Sequence, residues 1–499
     1  MKKMGTITKY YPFVDKENQT ILNSILDESS SYFDFVKRLG ASVVEREAST
    51  ALSYIAAVQA WWAQHRETME AIQRKYGEIP CVRPWTHPLT SSLSDQVEYH
   101  NVVVEEIEKA TVQGLDDWMK TELHLHHASY HWPFHGDIPS FLEPIEEARN
   151  LLKANPSLEC FEPLLYAYEG WARAREGELE DAFVLLKKGK ELALRSDDSI
   201  YRYMNLLNEA SCSRKYSIQD AISKYEELYD FVQDLRVPYR TSEVLNDSSI
   251  AFEAAGEYDL AISGLLETIK IMGGGDTPSL ILSRIYSVLG DGQSALEWAQ
   301  RAFEYAGHLK IPTLYLRKAW ALALVNRLGE AERHLETAQS MVLRSGDESL
   351  LGQYYHVLGV LERARNNHPT AMDYFEKAQE IQDRYPFFVF QNIAFIELAR
   401  LEIQLDTRTV DDTNGISPGK WLSRLEQYAI QRGMPGIRML SALFKSDLYQ
   451  KHGQLRDAHA TLVDALDITD SLGVATLRRR INSRIQEIER LIRGAEQVP

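Results

Sequence analysis

Three cysteines in 499 residues are too few, and Cys81, Cys160 and Cys212 too widely spaced, for a disulfide framework or a cysteine-based zinc site. All three are expected as reduced thiols. No apolar run reaches the 18 or more residues that a bilayer span requires, so no membrane span is expected. The start, Met1-Lys2-Lys3, is basic, but Thr6, Lys9, Asp15 and Lys16 interrupt the next residues, so no signal-peptide stretch forms and a cytoplasmic location is the default expectation. Basic residues are also scarce. Lys and Arg number 55 against 72 Asp and Glu, and the formal charge of −17 opposes the footprint that a nucleic-acid binder needs. Residues 1 to 75 hold 10 basic and 9 acidic side chains, or +1, so the remainder carries −18.

Motifs of catalysis are missing as well. Gly273-Gly274-Gly275-Asp276 is glycine-rich but lacks the lysine and the preceding strand of a phosphate cradle, so it reads as a connector between helices. No Gly-x-Ser-x-Gly occurs, and no pair of carboxylates falls in one pocket by spacing alone. The expectation is a protein that is not an enzyme and has no cofactor.

What the chain does have is a repeat. An alanine recurs at Ala182, Ala221, Ala261, Ala295, Ala331, Ala371 and Ala458, with gaps of 39, 40, 34, 36, 40 and 87 residues. The long gap holds one divergent unit, with Asn392 to Leu405 as its first helix and Trp421 to Gln431 as its second. Five places before each alanine stands Gly177, Tyr216, Gly256, Gly290, Asn326, Asn366 or Gly453. Glycine and asparagine tolerate the left-handed backbone that ends a helix. Four places after six of the alanines, Leu186, Tyr225, Leu265, Leu335, Phe375 and Leu462 fill the space between units. Pro238, Pro278, Pro312 and Pro386 fall in the inter-unit connections, where they break helices.

The best copy reads Tyr355, Leu358, Gly359, then Ala371, Phe375 and Ala378. That is the W-x2-L-G…A-x3-F-x2-A skeleton with Tyr in the Trp slot, and here the chain resembles the tetratricopeptide repeat family. The resemblance implies an all-α, right-handed helix-turn-helix solenoid of about eight helix pairs. The expected domains are an N-terminal helical domain at 1–113, the repeat array at 114–472, and a C-terminal capping helix and tail at 473–499. Val474 to Arg493 forms that cap, with Leu477, Ile481, Ile485, Ile488 and Leu491 on one stripe and Arg478, Arg479, Arg480, Arg484 and Arg490 on a solvated outer face.

In this family, positions 2, 5, 9, 12 and 13 of each first helix line the concave groove. The resemblance therefore nominates Trp171, Arg175, Tyr203, Arg214, Asn246, Arg284, Trp320, His356 and Arg363 as a partner-binding groove. Arginines interleaved with aromatic rings would attract carboxylates and stack on peptide. The lysine and asparagine pattern of the family's carboxylate clamp for chaperone tails is not reproduced. A second cluster, His124-Leu125-His126-His127 with His131, His135 and Asp137, places His124, His127 and His131 on one helical face and leaves His135 on a loop. No specific metal spacing accompanies them, and a polar helix face beside Trp132 accounts for them without a metal.

The leading expectation is a non-catalytic scaffold or adaptor that holds a protein or peptide partner, an acidic one, in its concave groove, with no nucleic acid involved. Two readings from other classes stay open: a ligand-gated regulator of the peptide-sensing kind, and a metal-dependent enzyme at the histidine cluster. The partner's identity and the oligomeric state are not legible in the sequence.

Overall fold

The computed structural model describes residues 15–79, 82–86, 101–109, 117–134, 138–176, 178–196, 199–214, 217–306, 311–345, 347–384, 391–405, 419–468 and 472–496. Among these residues every regular element is a helix, and no strand occurs. None of the helices among them is long and apolar enough to cross a membrane.

The repeat register explains the helix pairs. All seven anchor alanines are fully buried, and Leu186, Tyr225, Leu265, Leu335, Phe375 and Leu462 are at most 2% exposed. Small residues at the first-helix crossing let the backbones approach. A Cβ added at Gly359 would lie 2.6 Å from the Phe375 ring, and one at Gly170 would lie 2.8 Å from Leu186. The turns follow the same logic: Gly256, Gly290, Asn326, Asn366 and Gly453 all adopt positive φ, between 59° and 79°. Gly177 and Tyr216 lie outside the described residues. The prolines act one step later than the sequence suggested. Pro238 and Pro312 each open a helix, Pro238–Ala255 and Pro312–Leu324, where a missing N–H costs nothing. Pro278 sits in the first turn of Asp276–Leu289, and Pro386 lies outside the described residues. The divergent unit takes the predicted form, as Gln391–Leu405 and Lys420–Gln431.

The chain packs as two compact units, neither contiguous in sequence: residues 1–213, 223–245 and 270–275 in the first, and 214–222, 246–269 and 276–499 in the second. Division by sequence character at 113/114 and 472/473 is a different partition from this division by packing.

The first unit is organised around Thr50–Ala63, a helix buried on nearly every side. Its Trp62 ring meets Tyr32 at 5.0 Å and Tyr203 at 5.8 Å, both edge-on. Buried Arg240 stacks 4.9 Å from Trp62 while its Nε donates to the Trp62 carbonyl at 3.0 Å. Its charge is met by Glu243 at 2.7 Å.

The second unit closes on itself. Gly436 abuts the backbone of Gly256 so tightly that a Cβ there would lie 2.1 Å from the Gly256 carbonyl oxygen. At the start of the terminal helix Ala475–Glu496, the Thr476 N–H and Oγ1 donate to the Asp259 carboxylate at 2.9 and 2.6 Å. The last helices are thereby tied back to the first ones, and the closure governs what the interior can contact.

Candidate functional site

Five consecutive first helices of the second unit contribute to one buried polar strip. Glu253 ends Pro238–Ala255; Arg284 lies on Asp276–Leu289; Arg317 and Trp320 lie on Pro312–Leu324; Gln353, His356 and Arg363 on Glu348–Ala364; and Glu397 and Arg400 on Gln391–Leu405. Arg284 pairs with Glu253 through two contacts, Nε–Oε1 at 2.6 Å and Nη2–Oε2 at 2.5 Å, with both residues buried. Glu397, 1% exposed, forms an ion pair with Arg363 at 2.5 Å and accepts from Arg400 at 2.7 Å. Between these pairs Arg317, 2% exposed, donates to Gln353 Oε1 at 3.2 Å and lies 5.6 Å from the Trp320 ring. The Trp320 and His356 rings meet edge-on at 4.5 Å.

The strip so named sums to four guanidiniums and two carboxylates. Burial and neighbouring Arg284 hold the Arg317 guanidinium pKa well below its usual value, against the pull of Glu253. Burial and Arg400 likewise lower that of Arg363, against Glu397. His356 is pushed down to about 3, first by desolvation, so it adds no charge near neutrality. The Glu397 pKa is also lowered, which for a carboxylate favours the charged form: burial raises it, but Arg363 and Arg400 outweigh that and keep it below the ordinary carboxylate value. Charge stabilisation here is therefore asymmetric, with the charged form of Glu397 favoured and the cations Arg317 and Arg363 held at a cost.

An open cleft of about 390 Å³ runs along the terminal helix of the same unit, lined by Thr476, Arg479, Arg480, Ser483, Arg484 and Glu487. Arg484 is braced by Asp447 at 2.5 Å and Glu487 at 2.7 Å, and Arg480 donates to the Leu289 carbonyl at 2.9 Å. Arg479, 76% exposed, donates to Thr476 Oγ1 at 2.9 Å. Arg479, Arg480 and Arg490 are exposed, in keeping with a solvated outer face, and Arg479, Arg480 and Arg484 line the open cleft on that face. The acidic average of the chain does not describe this surface, and net charge alone does not rule out any anionic partner, nucleic acid included.

The groove nominated from the sequence divides between the two units. Arg284, Trp320 and His356, all buried, and Arg363, 13% exposed, come together in the strip. Arg214 and Asn246 belong to the same unit and are half-buried. Trp171 and Tyr203 belong to the first unit and pack there: Trp171 against Phe141 at 4.9 Å, Tyr203 with its hydroxyl donating to Glu243 at 2.5 Å. The Arg175 side chain lies outside the described residues.

Sequence reasoning missed Glu253, Arg317, Gln353, Glu397 and Arg400. Glu253 stands eight residues before its anchor Ala261, the register position that Arg363 holds before Ala371, so a search for both signs of charge would have found it. Gln353 was reachable by the same register, at position 2 of its unit. Arg317 sits at position 6, outside the family's groove positions. Glu397 and Arg400 fall in the divergent unit, which has no anchor alanine to set a register.

The histidines are placed on Asp117–Phe134. His126, half-buried like His124 and His127, packs edge-on to Trp61 at 4.7 Å and Trp85 at 4.3 Å, and desolvation pushes it down to about 3. Burial also lowers His124. The side chain of His131, and His135 entirely, lie outside the described residues. Among those described, no group of three or more His, Cys, Asp or Glu is arranged to hold a metal ion.

No protein-family model and no curated protein matches the chain. Several solved helical-repeat structures are similar to it at low identity. A Rap protein complexed with competence and sporulation factor is 14% identical, with a TM-score of 0.39 over 67% of this chain and 99% of that one. A tetratricopeptide repeat protein from Parabacteroides merdae is 16% identical, with a TM-score of 0.33 over 52% and 93%. The human IFIT1 dimer with m7Gppp-AAAA is 15% identical, with a TM-score of 0.42 over 82% and 90%.

Proposed function

We propose that the chain is a non-catalytic helical-repeat scaffold whose second unit holds an acidic segment of a protein or peptide partner on its interior strip. The observation that carries this reading is the row of guanidiniums Arg284, Arg317, Arg363 and Arg400 on four consecutive first helices, in which burial holds the Arg317 and Arg363 pKa values below their usual range. A ligand carboxylate brought beside Arg317 or Arg363 relieves the cost that burial imposes on those cations, and charge-assisted bidentate pairing gives direction to the contact. A basic or neutral ligand gains nothing there.

The test is the binding of a labelled twelve-residue polyglutamate peptide to the full chain by fluorescence anisotropy. Binding should weaken as salt rises toward 0.15 M, where the Debye length is about 8 Å. Arg317→Met with Arg363→Met should reduce affinity about tenfold or more with the helical circular dichroism unchanged. Equal affinity in parent and double variant would remove the strip from the function.

A further inference from the structure

The strip is buried, so a partner must make its first contact elsewhere. We propose that the cleft along the terminal helix Ala475–Glu496 is that contact, a docking surface for an acidic peptide segment; the proposal rests on the functional reading above and adds its point of entry.

Accessibility is the first argument. Arg479, Arg480, Ser483 and Glu487 are exposed, whereas Arg284, Arg317 and His356 are not. Preorganisation is the second. A guanidinium carries five N–H donors, and the contacts that brace Arg479, Arg480 and Arg484 use one or two each, so the forks are fixed while donors remain for a ligand. The Thr476 and Ser483 hydroxyls add neutral hydrogen-bonding groups to the same lining.

Continuity is the third. The helix Asp276–Leu289 ends in two adjacent carbonyls that receive one arginine from each site: Val288 from Arg400 of the strip at 3.5 Å, and Leu289 from Arg480 of the cleft at 2.9 Å. Buried Tyr258 lies in the field of Glu253 and Arg400 from the strip and of Arg480 from the cleft. A segment held in the cleft is therefore one helix end away from the strip.

Charge pattern selects the occupant. Glu487 lines the cleft, Asp447 stands against Arg484, and Asp259 lies 4.0 Å from Arg479, so cations alternate with carboxylates. A peptide can answer that alternation with spaced carboxylates and backbone N–H groups. A polyphosphate chain, with a negative charge at every step, meets repulsion at Glu487 and Asp447.

Stopped-flow association of the labelled polyglutamate peptide with the full chain tests this. Arg479→Glu should slow association about tenfold at low salt, and Arg493→Glu, an equal charge change on the same helix outside the cleft, should slow it less than twofold. Equal slowing by both variants would mean diffuse attraction without a docking cleft and would overturn the proposal. If Arg479→Glu has no effect while Arg317→Met with Arg363→Met still weakens binding, the cleft falls and the strip stands. If the parent does not bind the peptide at all, the functional reading itself falls. A twelve-nucleotide single-stranded RNA that outcompetes the peptide, and loses affinity in Arg479→Glu, would overturn the choice of partner.

Discussion

Glu397 is the residue on which the interior strip turns, and its replacement has a calculable consequence. It is 1% exposed and forms ion pairs with two guanidiniums, Arg363 at 2.5 Å and Arg400 at 2.7 Å. Glu397→Gln keeps the shape and one acceptor but leaves the partly buried Arg363 and Arg400, 13% and 23% exposed, without the carboxylate they share. Removing one partner of a buried ion pair costs about 3–5 kcal/mol, far above the value of an exposed pair. For a unit of about 250 residues that corresponds to a fall of about 6–20 °C in melting temperature. Because the folded pKa of Glu397 is lowered, its contribution is complete above the unfolded value near 4.5 and is lost as pH falls through the folded one. The gap between parent and variant should thus be full at pH 7 and narrow only as pH falls below 4.5 and through the lowered folded value. The assay is urea denaturation followed by circular dichroism, with amide exchange across Gln391–Leu405 as the local readout. The triple variant Arg363→Met, Glu397→Leu, Arg400→Met, which removes the charges together, should recover most of the loss. A Glu397→Gln cost below about 1 kcal/mol, or a triple variant worse than the single one, would refute the buried triad.

Ala371→Leu should overpack the crossing beside Phe375 and cost roughly 1–3 kcal/mol in denaturant melts, whereas Glu376→Gln, at an exposed 3.9 Å contact with Lys420, should change stability by less than about 0.5 kcal/mol. Gly436→Ala must push the Gly256 backbone away, so amide exchange should rise in the terminal helix Ala475–Glu496 and around residues 253–259; unchanged exchange would show that the closure does not depend on this contact. His126, with a folded pKa of about 3 against 6.5 in the unfolded chain, contributes stability that is full above 6.5 and drains away as pH falls toward 3. Amide exchange in Thr50–Ala63 should therefore accelerate between pH 7 and pH 4.5 beyond the intrinsic pH effect, and His126→Phe should abolish that excess.

The helix pairs were legible because their determinants are local. An alanine at each crossing, a glycine or asparagine five residues earlier and a bulky residue four later are short-range requirements of close-packed helices, and Gly359 with Phe375 shows the requirement met. The site was legible only where it obeyed the same register. Arg284, Trp320, His356 and Arg363 were found at groove positions, but their burial was not foreseen, because closure of the unit depends on Gly256 meeting Gly436 and Asp259 meeting Thr476, pairs some 180 to 217 residues apart. No periodicity encodes such a contact. Trp171 and Tyr203 share the register and belong to the other unit, since a repeat position specifies a face of a helix and not which unit that face serves.

The terminal helix shows why net charge is a poor guide to a partner here. The chain carries −17, yet Ala475–Glu496 concentrates Arg478, Arg479, Arg480, Arg484, Arg490 and Arg493 against Glu487, Glu489 and Glu496. Screening confines the influence of an exposed charge to about 8 Å at physiological ionic strength, so a ligand in the cleft senses its lining and little of the chain's total. At low salt the range lengthens and the acidic surroundings begin to oppose an acidic ligand. The two effects have opposite signs: screening weakens the cleft contacts and also weakens the repulsion from the rest of the surface. Association of an acidic peptide should then depend on salt less steeply than the number of arginines it touches would suggest, and reversing Arg479 should turn the residual attraction into repulsion that salt relieves. A rise in association rate with salt for Arg479→Glu, beside a fall for the parent, is the signature that separates a local cationic cleft on an acidic protein from a uniformly attractive surface.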